Sequence, residues 1–362
     1  MRLALTAGGT GGHIFPALAV LDALRARPGL LEEVRWFGPD NRGERTLVEA
    51  AGLRFEAVTS APVLGRGPLA LLRSAFLLLG GTWSAFRKLR AFGPDAVFST
   101  GGYASFPGAL AARLLRLPLV VYLPDVSPGW AVRAEMRLAS RMATTADAAL
   151  AFLPRKKTVV TGYPVRDTFL TTTREVARRQ LGLDPGEKVL LVAGASQGAA
   201  AINRAVFAAL PRFLAEMRVY HVTGPAGYDE AAGLGRQLAP ELAGRYVPAP
   251  FRDDLPVVML AADLAVLRAG ASTLGELTAA RLPAVMIPGT FAGGHQRHNA
   301  KWLADAGAAL IVEESAIAGL ADCVFGLIND EERLAAMRAA AKGLARPGAA
   351  DAIADLIVEA AR

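Results

Sequence analysis

The sequence predicts an α/β protein with two doubly wound, Rossmann-like domains whose parallel sheets face a central cleft. Short apolar runs alternate with amphipathic stretches from one end of the chain to the other, which is the pattern of β-strands followed by crossover helices. The pattern starts again near residue 189, and each half opens with a glycine-rich loop after its first strand. A length of 362 residues, 52% of them hydrophobic, suffices for two such cores.

In the first half, strands are predicted where apolar residues run without interruption, and helices where they recur every three or four positions. Leu18, Leu21 and Leu24 show the helical spacing, since they share one face. The predicted strands are 2–6, 34–37, 96–99 and 119–123, and the predicted helices are 16–27, 42–51 and 106–115. This βαβ succession requires a parallel sheet with helices on both faces.

In the second half, the same reasoning predicts strands at 189–193, 219–222, 264–267, 284–287 and 310–312, with helices at 201–213 and 351–361. The segment TGYPV at 161–165 lies between the halves. We therefore expect a first domain at 1–161 and a second at 162–345, with a helix in 346–362 that packs back on the first. Ligands of open parallel sheets bind at the carboxyl ends of strands, which places the expected site in the cleft.

Three glycine-rich loops follow predicted strands: GGTGG at 8–12, TGGYAS at 100–105 and GASQG at 194–198. Glycine permits sharp turns and close approach of the backbone, and the helix that follows offers free amides to an anion. A tight strand-to-helix connection is the alternative for any one loop. A nicotinamide-dependent oxidoreductase would need G-x-G-x-x-G and an acidic end to the second strand, and both are missing. A bound nucleoside diphosphate in the second half fits better.

Five segments carry a more specific resemblance. They are GGTGGHIFPALAV at 8–20, STGGYASFPG at 99–108, GASQGAAAIN at 194–203, RAGASTLGELTAARLPAVMIP at 268–288 and HQRHNAKWLADAGAA at 295–309. In this order they resemble the MurG-type transferases over nearly the whole chain. Those are peripheral membrane N-acetylglucosaminyltransferases of peptidoglycan synthesis that turn lipid I into lipid II. The resemblance implies a GT-B fold with an acceptor domain first and a UDP-sugar domain second.

The resemblance also implies roles for residues that bind UDP-N-acetylglucosamine, the donor substrate. Glu276 would hold the ribose hydroxyls, because a carboxylate can accept two hydrogen bonds. Ser196, Gln197 and Arg166 would meet the diphosphate, and His295 with its neighbour would contact the sugar. The further residues implied in ligand binding are Thr10, Gly11, Gly12, Phe251, Arg252, Arg268, Ser272, Thr273 and Gln296. Of these, the pair at 251–252 would read the uracil, and Arg268 is either a phosphate ligand or a structural ion-pair partner.

The expected reaction is attack of the muramoyl C4 hydroxyl on the anomeric carbon, with inversion and departure of UDP. His13 is the candidate base, because histidine titrates near neutrality, and the alternative is a hydrogen-bond donor to the diphosphate. Tyr103 is a further acceptor-side candidate. The family's His-Glu-Gln-Asn segment is replaced here by PDVSPG at 124–129, where Asp125 could take over a carboxylate role, including that of the catalytic base. This departure leaves open a non-catalytic nucleotide-sugar-binding relative, or a transferase with another lipid-linked acceptor.

Neither a metal nor another cofactor is expected. Cys323 is the single cysteine, which excludes zinc sites with several thiolates, and Asp253 with Asp254 is typical of a helix cap.

The charge is divided unevenly. Residues 1–160 hold 20 basic and 11 acidic side chains, a net charge of +9, whereas 161–362 carry −2. Between Glu56 and Asp95 there is no acidic residue; Arg66, Arg73, Arg87, Lys88 and Arg90 are interleaved there with leucine, phenylalanine and tryptophan. This mixture favours an anionic membrane surface over nucleic acid, the alternative being core leucines. No stretch is long enough to cross a membrane, so we expect a peripheral protein on the cytoplasmic face that meets an undecaprenyl-diphosphate-linked muramoyl-pentapeptide.

Overall fold

The computed structural model describes residues 1–8, 11–40, 44–61, 68–194, 198–289 and 294–362, and within 68–72 it describes the backbone. The chain divides into two compact units, residues 1–165 with 346–362 and residues 166–345. The predicted boundary between 161 and 162 lies four residues before this division.

The first unit has strands β1 (Arg2–Thr6), β2 (Glu33–Gly38), β3 (Arg54–Ala57), β4 (Ala96–Ser99), β5 (Leu119–Leu123), β6 (Arg141–Thr144) and β7 (Thr158–Val160). Its helices are α1 (Gly11–Arg25), α2 (Glu44–Ala50), α3 (Pro68–Phe92), α4 (Phe106–Leu114) and α5 (Trp130–Leu138). Within the described residues the strands form one parallel sheet in the order β3-β2-β1-β4-β5-β6-β7.

The second unit has strands β8 (Val189–Ala193), β9 (Arg218–Val222), β10 (Tyr246–Ala249), β11 (Leu264–Leu267), β12 (Ala284–Met286) and β13 (Ala309–Ile311). They form a parallel sheet in the order β10-β9-β8-β11-β12-β13. Its helices are α6 (Thr168–Thr171), α7 (Arg174–Gln180), α8 (Ala200–Glu216), α9 (Pro225–Gln237), α10 (Pro240–Ala243), α11 (Leu255–Ala261), α12 (Ala271–Ala280), α13 (His295–Asp305), α14 (Leu320–Ile328) and α15 (Glu331–Leu344).

A last helix, α16 (Ala349–Ala361), belongs to the first unit and packs against α1 and strands β4 to β6. Its apolar residues Ile353, Ala354 and Ile357 are buried at helical spacing. At its outer side, Arg27 donates to Asp355 over 2.6 Å. Burial of an apolar stripe, rather than this exposed ion pair, supplies most of the attachment.

The central strands β4, β5, β8 and β11 are buried at every residue. Strands covered on both faces need apolar side chains at every position, which explains their uninterrupted apolar runs. In the first unit, Ala4 of β1, Val97 of β4 and Val121 of β5 pack with helices α3, α4 and α5 in one apolar cluster. Two such parallel sheets confirm the predicted α/β fold class.

Helix α1 begins at Gly11, five residues before the predicted start, so that Pro16 lies inside it. Proline has no N–H for the carbonyl four residues earlier, which here is that of Gly12. The hydroxyl of Tyr163 donates to the Gly12 carbonyl instead, over 3.3 Å. The Tyr163 side chain, 151 residues from Gly12 in the sequence, thus donates the hydrogen bond that Pro16 cannot give to the Gly12 carbonyl.

Candidate functional site

The three predicted catalytic residues of the first unit lie shortly after the carboxyl ends of adjacent strands. His13 is in the first turn of α1 after β1, Tyr103 follows β4, and Asp125 follows β5. Strands β1, β4 and β5 are neighbours in one parallel sheet, so their carboxyl ends share one edge. The fold therefore brings these residues from distant positions in the sequence to the same side of the sheet.

The first two glycine loops are packed directly against each other. A Cβ atom added to Gly8 would lie 2.6 Å from the Cα atom of Gly102, and one added to Gly102 would lie 2.7 Å from Gly8. Gly102 also has a φ of +89°, a left-handed conformation that favours glycine. These two glycines are therefore required by the contact between the loops, whatever ligand the loops bind.

His13 is fixed by this second loop. Its Nδ1 atom lies 2.8 Å from the carbonyl oxygen of Thr100, and the Thr100 hydroxyl donates to the His13 carbonyl over 2.8 Å. Because a carbonyl can only accept, Nδ1 must carry the proton. In the neutral ring Nε2 then has the lone pair, which is the tautomer that a general base needs.

Asp125 and Tyr103 are both half-buried. The carbonyl of Tyr103 accepts a hydrogen bond from the Ser60 hydroxyl over 2.8 Å. Burial raises the pKa of Tyr122 well above its ordinary value, and the nearby charge of Asp125 adds to this rise. The carboxylate of Asp125 is therefore close to the end of β5, in the loop that departs from the family pattern.

A buried carboxyl group, missed in the sequence, lies under the second glycine loop. Glu135 of α5 is fully buried and contacts the hydroxyls of Ser99 and Ser105 at 2.8 and 2.6 Å. Burial raises its pKa to about 7. The sequence feature that could have indicated its burial is its position in α5, because it shares the buried face of that helix with Ala131 and Val132.

Several predicted ligand-binding residues lie outside the described residues: Thr10, Ser196 and Gln197. Gly11 and Gly12 are described and form the start of α1. A Cβ atom on Gly11 would lie 3.0 Å from the Phe15 ring.

In the second unit, Glu276 and Arg166 are brought together. An Arg166 guanidinium nitrogen lies 3.1 Å from a Glu276 carboxylate oxygen, and the Glu276 side chain is 10% exposed. Burial raises the pKa of Glu276, while Arg166 and a hydrogen bond from Ser272 act in the opposite direction. The residue predicted to bind the ribose and the residue predicted to bind the diphosphate thus neutralise each other's charge here.

The start of α12 follows β11 and holds Ser272 and Thr273. The Thr273 hydroxyl donates to the carbonyl of Gly270, the residue that precedes the helix, over 2.5 Å. The buried guanidinium of Arg268 donates to the Ile287 carbonyl over 3.1 Å and pairs with Glu314 over 2.6 Å. Of the two roles expected for Arg268, the ion pair is therefore present in the structure.

Phe251 and Arg252 follow β10. The Phe251 side chain is 54% exposed, which leaves an aromatic face open to a flat ligand. Arg252 lies over the Tyr220 ring and forms two hydrogen bonds with the carboxylate of Asp254, at 2.8 and 2.6 Å. Asp254 occupies the capping position of α11, as predicted, although its side chain makes no capping hydrogen bond.

His295 and Gln296 begin α13, and both are half-buried. The side-chain oxygen of Gln296 accepts from the Gly289 amide over 2.8 Å. Asn299, one turn later, donates to the Ala269 carbonyl over 3.0 Å, which ties α13 to the segment before α12. Apart from Arg166, which follows β7, the described donor-side candidates of the second unit thus follow β10, β11 and β12.

Among described residues, no group of three or more His, Cys, Asp or Glu side chains could hold a metal ion.

Helix α3 exposes apolar and basic side chains along one face. Phe76, Leu79 and Trp83 are 69, 64 and 64% exposed, and Arg73 and Arg87 are exposed as well. We call these five residues the α3 face. Lys88 does not share it, because it donates to the Ala57 carbonyl and pairs with Glu56. Leu89 is buried in the core, and Arg66 lies outside the described residues.

No helix in the described parts of the chain combines the length and apolar character needed to cross a bilayer.

Two family models match the chain. Residues 3–144 match the glycosyltransferase family 28 N-terminal domain, and residues 189–355 match the glycosyltransferase family 28 C-terminal domain.

Similar proteins cover the chain from end to end. The UDP-N-acetylglucosamine–N-acetylmuramyl-(pentapeptide) pyrophosphoryl-undecaprenol N-acetylglucosamine transferase of Desulforudis audaxviator is 39% identical, over 99% of this chain and 98% of the relative. The enzyme of the same name from Halothermothrix orenii is 36% identical over the full length of both. The crystal structure of Acinetobacter baumannii MurG superposes with a TM-score of 0.76 at 28% identity, covering 99% of each chain. The chain is therefore a glycosyltransferase and belongs to the family of UDP-N-acetylglucosamine–N-acetylmuramyl-(pentapeptide) pyrophosphoryl-undecaprenol N-acetylglucosamine transferases.

Proposed function

We propose that this protein transfers N-acetylglucosamine from UDP-N-acetylglucosamine to the C4 hydroxyl of the muramoyl sugar of lipid I, giving lipid II for peptidoglycan synthesis. The observation that carries the proposal is the pair of half-buried Arg166 and buried Glu276, a cation and a carboxylate of the kind that bind a diphosphate and a ribose. The full-length similarity to transferases named for this reaction supports it.

On the donor side, Glu276 accepts hydrogen bonds from the two ribose hydroxyls. Arg166 turns from Glu276 toward the diphosphate, where negative charge builds as UDP departs. The first turn of α12, with Ser272 and Thr273, adds the favourable end of a helix dipole. Phe251 and Arg252 bind the uracil, and His295 with Gln296 selects the sugar. Because cationic and helix-terminal groups meet the leaving charge, we propose transfer without a metal.

On the acceptor side, His13 takes the proton from the C4 hydroxyl at Nε2. The Thr100 carbonyl on Nδ1 holds the ring in the required tautomer and stabilises the imidazolium that forms. Asp125 and Tyr103 bind the acceptor at the neighbouring loops. The glycine contact between Gly8 and Gly102 keeps the first two loops in register with each other.

The α3 face places the first unit on an anionic membrane surface, at the cytoplasmic side, where the lipid-linked acceptor is found. Its exposed aromatic and leucine side chains enter the boundary between headgroups and acyl chains, and Arg73 and Arg87 meet anionic headgroups. The net charge of +9 on residues 1–160 acts in the same direction.

The test is incubation of the protein with labelled UDP-N-acetylglucosamine and a short-chain lipid I analogue, with and without EDTA. We expect lipid II product and stoichiometric UDP under both conditions. Donor binding without turnover on lipid I would contradict the proposal and favour a binding protein or another lipid-linked acceptor. Activity that EDTA abolishes and Mg²⁺ restores would contradict the metal-independent mechanism alone.

A further inference from the structure

The side chain of Glu135 lies beneath the second glycine loop. Its carboxyl group is fully buried between Ser99 and Ser105, the residues that flank the loop at either end. The partners lie 36 and 30 residues before it in the sequence. Both carboxyl oxygens are therefore used to hold the two ends of one loop.

The protons in this network can be counted. Ser105 has one hydroxyl proton, and its oxygen lies 2.8 Å from the Gly102 carbonyl and 2.6 Å from Glu135 Oε1. The Gly102 carbonyl can only accept, and it also receives the Ser105 amide over 3.2 Å, so both hydroxyl contacts are hydrogen bonds only when the Ser105 proton goes to Gly102. The shorter contact then needs a proton on Glu135 Oε1, which a neutral carboxylic acid supplies.

The other end of the loop fits the same assignment. Ser99 accepts the Gly101 amide over 3.1 Å and donates its own proton to Glu135 Oε2 over 2.8 Å. Cβ atoms added to Gly101 and Gly102 would lie 2.6 Å from Val132 and 2.7 Å from Gly8, so the loop is closely packed on both sides. Thr100, immediately before them, is the residue whose carbonyl receives the Nδ1 proton of His13.

We propose that Glu135 is a positioning residue that acts as a neutral carboxylic acid, donating to Ser105 and thereby fixing the loop that presents the Thr100 carbonyl to His13. This inference rests on the proposed function of His13 as the base. When Glu135 ionises, its carboxylate takes the Ser105 proton. The Gly102 carbonyl then keeps only the Ser105 amide, 3.2 Å away, and the loop holds the ring of His13 less firmly.

The surroundings of Glu135 favour the neutral form. Burial raises its pKa to about 7, and the two serine hydroxyls are the groups that oppose this rise. The charged side chains on the elements packed around it point to solvent: Arg113 of α4 is exposed, as are Arg133 and Arg137 of α5 itself. From β5, Tyr122 bonds to Thr145 instead. No cation is thus placed to favour the carboxylate among the described groups that shift its pKa.

The experiment compares the pH dependence of kcat in the wild type, Glu135→Gln and Glu135→Leu. Glutamine copies the neutral acid, because its amide can donate to Ser105 while its oxygen accepts from Ser99. We expect wild-type kcat to fall about tenfold as the pH rises through 7, and Glu135→Gln to keep its kcat over that range. Glu135→Leu should lower kcat about tenfold to a hundredfold at all pH values, with an unchanged KM for UDP-N-acetylglucosamine.

Identical pH profiles for the wild type and Glu135→Gln would overturn the proposal, as would wild-type kcat in Glu135→Leu. UDP binding measured by calorimetry shows that each variant is folded, and if Glu135→Leu fails to fold, the glutamine comparison still decides. Infrared difference spectra of wild type against Glu135→Gln separate this inference from the proposed function. A carboxylic acid band below pH 7 that disappears above it is expected even without transfer activity, and its absence contradicts the assignment.

Discussion

The guanidinium of Arg166 lies 3.1 Å from the carboxylate of Glu276, so each of the two groups most suited to UDP already has a partner of opposite charge. Such a pair favours the ionised form of the Glu276 carboxyl, against the rise in its pKa that burial causes, and removing one partner would leave an uncompensated charge. In the proposed function, donor binding replaces this contact with contacts to ribose and diphosphate.

Replacing Glu276 with alanine should raise the KM for UDP-N-acetylglucosamine about tenfold to a hundredfold, because a charged acceptor of ribose hydrogen bonds is lost. Steady-state kinetics at saturating acceptor measures the change. Glu313→Ala, an exposed carboxylate paired with Arg297 in the same unit, is the matched control. Wild-type KM in Glu276→Ala would contradict the ribose role.

Replacing His13 with alanine should lower kcat about a hundredfold or more while leaving donor binding intact, because the general base is removed. Single-turnover transfer together with UDP calorimetry makes the distinction. His298→Ala serves as control, since this exposed histidine is on α13 of the second unit. Near-normal turnover of His13→Ala would assign the base to another group, with Asp125 the next candidate.

Replacing Tyr163 with phenylalanine should lower the free energy of unfolding of the first unit by about 1 kcal/mol, because the Gly12 carbonyl loses its donor. Urea unfolding followed by tryptophan fluorescence reports mainly on this unit, which contains Trp36, Trp83 and Trp130, whereas the second unit contains Trp302. Tyr228→Phe, in α9 of the second unit, should change the transition by no more than about 0.5 kcal/mol. Equal changes in the free energy of unfolding for the two substitutions would contradict the role of Tyr163 as the donor that replaces the missing N–H of Pro16.

The stability of the first unit should fall as the pH rises from 4.5 to about 7, the interval between the ordinary pKa of a glutamate and that of Glu135. In this interval the folded state binds more protons than the unfolded state, so unfolding becomes easier with increasing pH, by about 3 kcal/mol in total. Glu135→Gln should match the wild type at the acidic end and exceed it above 7. Parallel stability curves for the two proteins would refute this expectation.

Replacing both Phe76 and Trp83 with serine should weaken binding to phosphatidylglycerol vesicles about tenfold or more, because these exposed apolar side chains would no longer enter the lipid. Vesicle flotation at low salt measures the effect, with phosphatidylcholine vesicles for comparison. Phe152→Ser, another exposed aromatic residue of the first unit, is the control. Equal binding of wild type to neutral and anionic vesicles would contradict an electrostatic contribution.

The sequence predicted best the elements whose side chains are all buried. Strands β4, β5 and β11 have the predicted bounds, because full burial on both faces requires uninterrupted apolar runs. The start of α1 was misplaced because proline is common at the first helical position, whereas here a distant tyrosine lets Pro16 lie further inside.

Side-chain partners distant in sequence were harder to predict. Glu135 has an ordinary position in an amphipathic helix, and its role depends on two serines that the sheet brings near it. The same holds for Lys88, which belongs to a basic stretch but bonds back to β3. Local patterns fix which face of a helix is apolar, but they do not say which polar group lies opposite.

The return of α16 to the first unit has a consequence for biosynthesis. This helix covers apolar residues of α1 and strands β4 to β6, yet it leaves the ribosome after the entire second unit. The first unit therefore cannot complete its core until about 180 further residues have been translated, and part of that core stays uncovered in the meantime. During that time the second unit can fold on its own, so the order of folding in the cell is expected to be the reverse of the order of synthesis.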